Sequence, residues 1–224
     1  MLRWAVAVGT AALAAALATL PARAAGGSLR LGVVACPTTL GVAQPLPKRP
    51  KTLRVTLSSR YGSLLEGYSN GYLTALGPRG WHCRGQVGAD GSAVLDVTPG
   101  RSSATLGSAA VTVQFADTPG VAADLACSIF PSAARQLPVQ PCPVTRPKRE
   151  LVLVLTATTV AFEDPPGVHG IGLPSGGPNP ANGVITYTPS SVGSNGYALI
   201  ETCTLAPSSH SLCTAILDNV FRAG

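Results

Sequence analysis

The chain has 224 residues, of which 46% are hydrophobic, and its 16 basic and 10 acidic side chains give a net charge of +6. A chain of this length can bury a core without a metal or a cofactor, either as one fairly large domain or as two small ones. Its densest basic runs, Lys48–Lys51 and Arg146–Arg149, are too short for the extended basic surface of a nucleic-acid-binding protein, so that class is excluded.

The first 24 residues have the pattern of a secretory signal peptide. A short positive segment, Met1–Arg3, precedes the uncharged Ala- and Leu-rich run Trp4–Leu20. The run is followed by Pro21–Ala24, whose A-x-A pattern predicts cleavage after Ala24. An uncleaved membrane anchor is the alternative, although the run is short for a span. The predicted mature chain is therefore residues 25–224. It is predicted to be secreted and has no later segment that is long and apolar enough to cross a bilayer.

All six cysteines follow the predicted cleavage site: Cys36, Cys83, Cys127, Cys142, Cys203 and Cys213. An even number of cysteines in a secreted chain predicts three disulfides. No Cys-x-x-Cys or Cys-x-x-His pair occurs, so a zinc site is not expected. The sequence does not choose among the many pairings that six cysteines allow.

Short segments with the β-branched or alternating composition of strands recur along the chain. The clearest are, in chain order, Leu29–Ala35, Leu53–Leu57, Tyr72–Leu76, Val94–Val97, Ala109–Phe115, Val184–Tyr187 and Tyr197–Leu205. The connections between them are rich in proline, glycine and polar residues. Arg60–Gly71 is predicted to be turn and loop.

Two helices are predicted among these strands. Thr118 and Pro119 are typical of a helix start, and that helix should end at Phe130, before a proline. A second helix should begin at Ser208 or Ser209 and carry one apolar stripe formed by Leu212, Ile216 and Val220. The predicted fold is mainly β, an antiparallel or mixed sandwich-like domain with a short middle helix and a C-terminal helix, stapled by disulfides.

The strongest single signal is the unbroken apolar run Leu151–Val160. Its β-branched and uniformly apolar composition predicts a strand buried on both faces. The segment Glu163–Gly183 follows, and 11 of its 21 residues are Gly or Pro. A connection of this length without secondary structure is usually functional or disordered, so this loop is the first place to expect a site.

Short motifs recur in both halves of the chain. Cys-Pro, Arg-Pro-Lys and Ser-Asn-Gly-Tyr begin at Cys36, Arg49 and Ser69, and again at Cys142, Arg146 and Ser194. A diverged duplication of residues 29–130 and 131–224 is therefore an alternative to a single domain over residues 25–224. Chance recurrence of short, common turn residues is the simpler explanation of these motifs.

The two alternatives favour different disulfides. A duplication would make Cys36–Cys83 and Cys142–Cys203 equivalent bridges. Without a duplication, the short closures Cys127–Cys142 and Cys203–Cys213 compete equally well.

The Gly/Pro loop also holds the candidate catalytic residues. Asp164, His169 and Ser175 could form a local triad, because histidine is the usual general base for a serine nucleophile. Glu163, Asp164 and His169 could also act as metal ligands, with loop carbonyls completing a calcium-like site, but no calcium-binding pattern accompanies them. No metal or other cofactor is therefore expected.

Aromatic residues cluster in a different part of the chain. The group is Tyr61, Tyr68, Tyr72 and Trp81. Exposed rings in this group could stack on sugars or on a protein partner. Packing in the core is the alternative for Tyr72 and Trp81.

The sequence lacks a convincing catalytic set and has long loops that proline stiffens, which lose little entropy on binding. It favours a secreted or envelope-associated domain, stabilised by disulfides, that binds a partner through its Gly/Pro loops without catalysis. The basic net charge favours an anionic envelope polymer as partner, and an extracellular protein is also compatible. A secreted hydrolase with its site in residues 163–183 is the alternative. The Ala-, Gly- and Pro-rich, arginine-biased composition resembles that of exported proteins of high-GC bacteria, which implies a setting and no activity.

Overall fold

The computed structural model describes residues 27–100, 109–137, 142, 146, 149–171, 177–191 and 196–222. The predicted signal peptide, residues 1–24, lies outside these residues. The predicted fold class is confirmed: the chain is mainly β, with two mixed sheets, a short middle helix, a C-terminal helix and three disulfides.

The strands are, in chain order, β1 (Gly27–Ala35), β2 (Thr38–Leu40), β3 (Thr52–Leu57), β4 (Leu65–Ser69), β5 (Leu73–Pro78), β6 (His82–Val87), β7 (Ala93–Thr98), β8 (Ala110–Ala116), β9 (Leu151–Val154), β10 (Thr159–Asp164), β11 (Ala181–Thr188), β12 (Tyr197–Thr204) and β13 (Phe221–Arg222). The helices are α1 (Ser59–Gly62), α2 (Pro119–Ala126), α3 (Pro131–Ala134) and α4 (His210–Leu217). Every predicted strand segment before and after the Leu151–Val160 run overlaps one of these strands.

The strands form a small sheet and a large sheet. The small sheet has five strands in the order β13-β5-β4-β1-β3. The large sheet has eight strands in the order β2-β6-β7-β8-β12-β11-β10-β9. Both are mixed, because β1 pairs with β4 in parallel and β2 pairs with β6 in parallel, whereas the other pairs are antiparallel.

Two hydrophobic cores share the large sheet. Along β12, Leu199 and Cys203 belong to the core that packs against the small sheet and α4. Ala198 and Ile200, which alternate with them, belong to the core under α2 and α3. Successive side chains of a strand point to opposite faces, so the central strands of the large sheet are covered on both sides.

The prediction of one strand over Leu151–Val160, buried on both faces, is wrong. The run forms a hairpin, in which the Leu155 N–H donates to the Thr159 carbonyl at 3.0 Å between β9 and β10. β9 is the last strand of the large sheet, and most of its side chains are exposed. The reason is that α2 packs on β8, β11 and β12, and does not cover the end of the sheet.

Four strands lie where the sequence predicts none, namely β2, β4, β6 and β13. β2 and β13 have only three and two residues, and β4 lies in Arg60–Gly71, which is predicted as turn and loop. β4 and β6 both contain a glycine and alternate weakly, which hides the period of two. The apparent 21-residue loop is also shorter than predicted, because β10 continues to Asp164 and β11 begins at Ala181.

The three disulfides are Cys36–Cys83, Cys127–Cys142 and Cys203–Cys213. The first joins the end of β1 to β6 and therefore links the small sheet to the large one. The last joins β12 to α4. Both short closures are present, and the Cys142–Cys203 bridge favoured by a duplication is not. The relation between the two halves of the chain stays a prediction.

A buried asparagine also links the two sheets. The Oδ1 atom of Asn70 accepts hydrogen bonds from the N–H groups of Tyr72 at 2.9 Å and Leu73 at 2.7 Å, which closes the turn from β4 to β5. Its Nδ2 donates to the Val94 carbonyl in β7 at 3.4 Å. A Cβ on Gly85 of β6 would overlap the Asn70 side chain. The first Ser-Asn-Gly-Tyr motif therefore fixes a turn against the large sheet, whereas its recurrence lies partly outside the described residues.

Two glycines give a matched test of packing under α2. A Cβ on Gly183 of β11 would overlap the Phe162 ring of β10, whereas the Cβ position of Gly120 in α2 meets open space. We expect Gly183→Ala to destabilise the fold by about 1–3 kcal/mol, because the ring must move in a packed core. Gly120→Ala should stabilise it by up to about 1 kcal/mol, since alanine favours the helix and restricts the unfolded chain. Thermal unfolding measures both effects, and equal Tm values for the two variants would contradict this packing.

Candidate functional site

The residues predicted as a catalytic triad lie in different environments. Asp164, the last residue of β10, is fully buried, whereas His169 is exposed. Gly170 is so close to the Asp164 carboxylate that a Cβ on this glycine would overlap it. Ser175 lies outside the described residues. The catalytic roles of these three residues stay predictions, and Asp164 cannot reach a substrate while Gly170 covers it.

A second buried acid interacts with Asp164. Glu150, directly before β9, is 4% exposed, and neither of its carboxylate oxygens has a hydrogen-bond partner among the described residues. Burial, and then repulsion from the Asp164 carboxylate, raises the pKa of Glu150 to about 7, while the charge of Arg146 acts in the opposite direction. This pair has no signal in the sequence, because Glu150 follows a basic run and looks like a solvated turn charge.

Glu201 of β12 is also fully buried, but on the opposite face of the large sheet. It pairs with Val184, whereas Asp164 pairs with Ala181. Val184 and Ala181 are three residues apart on β11 and therefore point to opposite faces. Burial raises the pKa of Glu201 well above its ordinary value. Asp164 and Glu201 therefore do not meet in one pocket.

The pKa of Glu150 predicts how stability changes with pH. The folded chain keeps the Glu150 proton up to about pH 7, whereas the ordinary pKa is 4.5. Between pH 4.5 and about pH 7 the folded state binds more protons than the unfolded state. The contribution of Glu150 to stability is therefore most favourable below pH 4.5 and falls as the pH rises to about 7. We expect Glu150→Gln, which stays neutral, to show a smaller decrease in Tm than the parent between about pH 4.5 and about pH 8. Thermal unfolding across this range measures the difference, and the decrease that remains includes the contribution of Glu201.

Glu163→Gln is the matched control for this measurement. Glu163 neighbours Asp164 on β10, but it points to the other face and is partly exposed. The Tm of the Glu163→Gln variant should change with pH as the Tm of the parent does. An unchanged profile for Glu150→Gln would contradict the buried pair.

The clustered aromatic residues separate into one core residue and three partly exposed ones. Tyr68 is fully buried, and its hydroxyl donates to the Glu66 carboxylate (2.8 Å) or the Pro78 carbonyl (2.6 Å) and accepts from the Trp81 N–H (3.1 Å). Burial, and then the hydrogen bond to Glu66, raises the pKa of Tyr68. Tyr68 is therefore a structural residue that a surface ligand cannot contact. The other three members of the group, Tyr61, Tyr72 and Trp81, are partly exposed and pack against the core.

A cleft of about 380 Å³ opens beside Trp81. Three segments form its walls. They are Val34, Ala35 and Pro37 around the end of β1, the segment Trp81–Arg84 at the start of β6, and Thr98 at the end of β7 with Gly100 after it. The Cys36–Cys83 disulfide joins the first two walls, and the pairing of β6 with β7 joins the second to the third. The volume is that of a site for a small ligand or for one unit of a polymer.

The side chains of this cleft combine an aromatic ring, an apolar wall and positive charge. Trp81 and Val34 are apolar lining residues, and the exposed residues His82 and Arg84 also line the cleft. Among the described residues, none of those that line the cleft is acidic. Asp96, which pairs with Arg84 across the sheet, accepts a hydrogen bond from the Thr112 hydroxyl at 2.9 Å. The cleft is therefore complementary to a ligand with an apolar ring face and a negative charge.

Among the described residues, no group of three or more His, Cys, Asp or Glu side chains could hold a metal ion. No helix in this part of the chain is long and apolar enough to cross a membrane. In comparisons with known proteins, no family model, curated protein or solved structure matches the chain. Function is therefore inferred from the geometry of the cleft.

Proposed function

We propose that this chain is a non-catalytic binding domain of an exported protein, and that its cleft beside Trp81 binds an acidic polysaccharide. The supporting observation is that Trp81 and Arg84 line one cleft whose described lining residues include no acid. The apolar face of a sugar ring would stack on the indole, and a uronate carboxylate would accept charge-assisted hydrogen bonds from the guanidinium. Binding then occurs at this cleft and not at the Gly/Pro loop.

The export part of the proposal rests on the N-terminal pattern of the sequence and on the three disulfides, which form in oxidising compartments. We expect the secreted protein to lack residues 1–24. Its cysteines should react with an alkylating reagent only after reduction. Intact mass before and after reduction tests both points. Free thiols, or a chain that keeps residues 1–24, would contradict export.

The binding test uses the fluorescence of Trp81, since the chain has only two tryptophans and the other is Trp4 in the predicted signal peptide. In protein without Trp4, by processing or by Trp4→Phe, polygalacturonate should change the emission of Trp81, whereas neutral dextran should not. Trp81→Ala, followed by calorimetry, should weaken binding about tenfold because it removes the stacking surface. Arg84→Gln should weaken it about two- to fivefold and reduce its salt dependence.

Arg54→Gln is the matched control for charge. Arg54 is an exposed arginine on β3 and does not line the cleft. This variant should bind polygalacturonate like the parent. Equal binding of polyglutamate, together with no effect of Trp81→Ala, would show that the attraction depends only on net charge and would contradict the proposed site.

A secreted hydrolase is the second candidate function, and the observation that favours it is the buried pair of Glu150 and Asp164 with the raised pKa of Glu150. The loop around Gly170 would have to move away from Asp164 before a substrate could reach it. The release of reducing ends from the same polymer, abolished by Asp164→Asn, would favour the hydrolase over the binding domain.

A further inference from the structure

The open edge of the large sheet is unusually apolar. β9 is its last strand among the described residues and pairs only with β10. Its exposed side chains, with those of the residue that follows, are Leu151 (65% exposed), Leu153 (64%), Val154 (69%) and Leu155 (50%). Proteins usually protect such an edge with charge, proline or a bulge. The segment Leu151–Thr158 contains neither a charge nor a proline.

The hydrogen-bond pattern of the hairpin shows which backbone groups face the open edge. The Leu155 N–H donates to the Thr159 carbonyl at 3.0 Å, so Leu155 is in a hydrogen-bonded pair with β10. Such pairs alternate along an antiparallel ladder, which places Leu153 and Leu151 in the same class. Val152 and Val154 therefore direct their N–H and C=O groups away from β10, towards the open edge.

The sequence of this edge is the same in both directions. Leu151–Leu155 reads Leu-Val-Leu-Val-Leu, with Leu153 at its centre. In a two-fold antiparallel contact residue i faces residue j and j faces i, so a segment that reads the same in both directions places each residue opposite another of its own type. With the axis at Leu153, Val152 lies opposite Val154 of the second copy, and the axis generates a second, equivalent pair. Each of the two pairs can exchange two N–H···O bonds.

The side chains fit the same register. Leu151, Leu153 and Leu155 share one face, so Leu151 would lie opposite Leu155 of the second copy and Leu153 would face itself across the axis. Arg149 would lie opposite Ala157, and Glu150 opposite Thr156. No like charges oppose each other in this arrangement.

We propose that the β9 edge is an interface with a second copy of this chain, which pairs antiparallel through Leu151–Leu155 and extends the large sheet across a two-fold axis. A second copy is favoured because this register places leucine opposite leucine and valine opposite valine and brings no like charges together. The interface is small, since a stable complex usually uses about 20–30 residues on each side. The dimer is therefore weak and depends on protein concentration.

Sedimentation equilibrium of the chain as isolated, from about 5 to about 500 μM, tests the association. The parent should dimerise in the upper part of this range. Leu153→Lys should weaken dimerisation at least tenfold, because it brings two ammonium groups together on the axis. Leu64→Lys is the matched control, since Leu64 is 52% exposed in the turn before β4. It should dimerise like the parent.

Cross-linking then tests the register. In oxidised glutathione, Leu153→Cys should give a covalent dimer that reduction separates, because directly opposed residues of a non-hydrogen-bonded pair are close enough for a disulfide. Leu64→Cys should give much less covalent dimer under the same conditions. Peptide mapping must place the new bond between the two substituted positions and leave the three native disulfides intact.

Three results would overturn the proposal. The first is a parent chain that is monomeric at every concentration and does not cross-link through Leu153→Cys. The second is a dimer that Leu153→Lys does not weaken. The third is a monomer that binds an added Leu-Val-Leu-Val-Leu peptide, which would assign the edge to a strand from another protein.

Discussion

The alternation of side chains along the central strands of the large sheet determines both cores. Along β12, Leu199 packs towards the small sheet, and the next residue, Ile200, packs towards α2. A shift of one residue in the pairing of β12 with β8 or β11 would exchange the two sets and disrupt both cores together. The buried acids follow the same rule. Glu201 lies on one face and Asp164 on the other, so two acids on strands only two positions apart in the sheet are separated by the sheet itself.

The fold was predictable where burial produces a clear period. β7, β8 and β12 lie where the apolar pattern predicts strands, and α4 begins close to the predicted serine caps. The run Leu151–Val160 was misjudged for a physical reason. A uniformly apolar strand implies that both faces lie against other groups, yet the described chain supplies no cover for β9. The error was to infer burial on both faces from composition alone, because an apolar strand at the end of a sheet has the same composition as a buried one.

The candidate site was less predictable, because long-range pairing creates it. Trp81 was found as part of an aromatic cluster. Arg84 and Val34 were not, since nothing in the local sequence shows that the end of β1 lies beside the start of β6. The Cys36–Cys83 disulfide supplies that proximity, and this pairing could not be chosen from the sequence. Glu150 was missed for a related reason: only the fold reveals that an acid beside a basic run is buried against a second carboxylate.

The cleft and the open edge lie near opposite ends of the large sheet, and this arrangement relates the two proposals. β6 is the second strand in the sheet and β9 the last, so six strand spacings of about 4.8 Å separate them. Two copies joined through β9 would hold their clefts about 60 Å apart at the two ends of one continuous sheet. A polymer with repeated acidic units can occupy both clefts, and its second contact then forms at a raised effective concentration. A polymer that bridges two clefts also favours the dimer, because ligand binding and association are linked when one species requires both. A short oligosaccharide fills only one cleft, so dimerisation does not raise the affinity for it. A weak interface combined with a weak cleft therefore favours the binding of long polysaccharides over short ones.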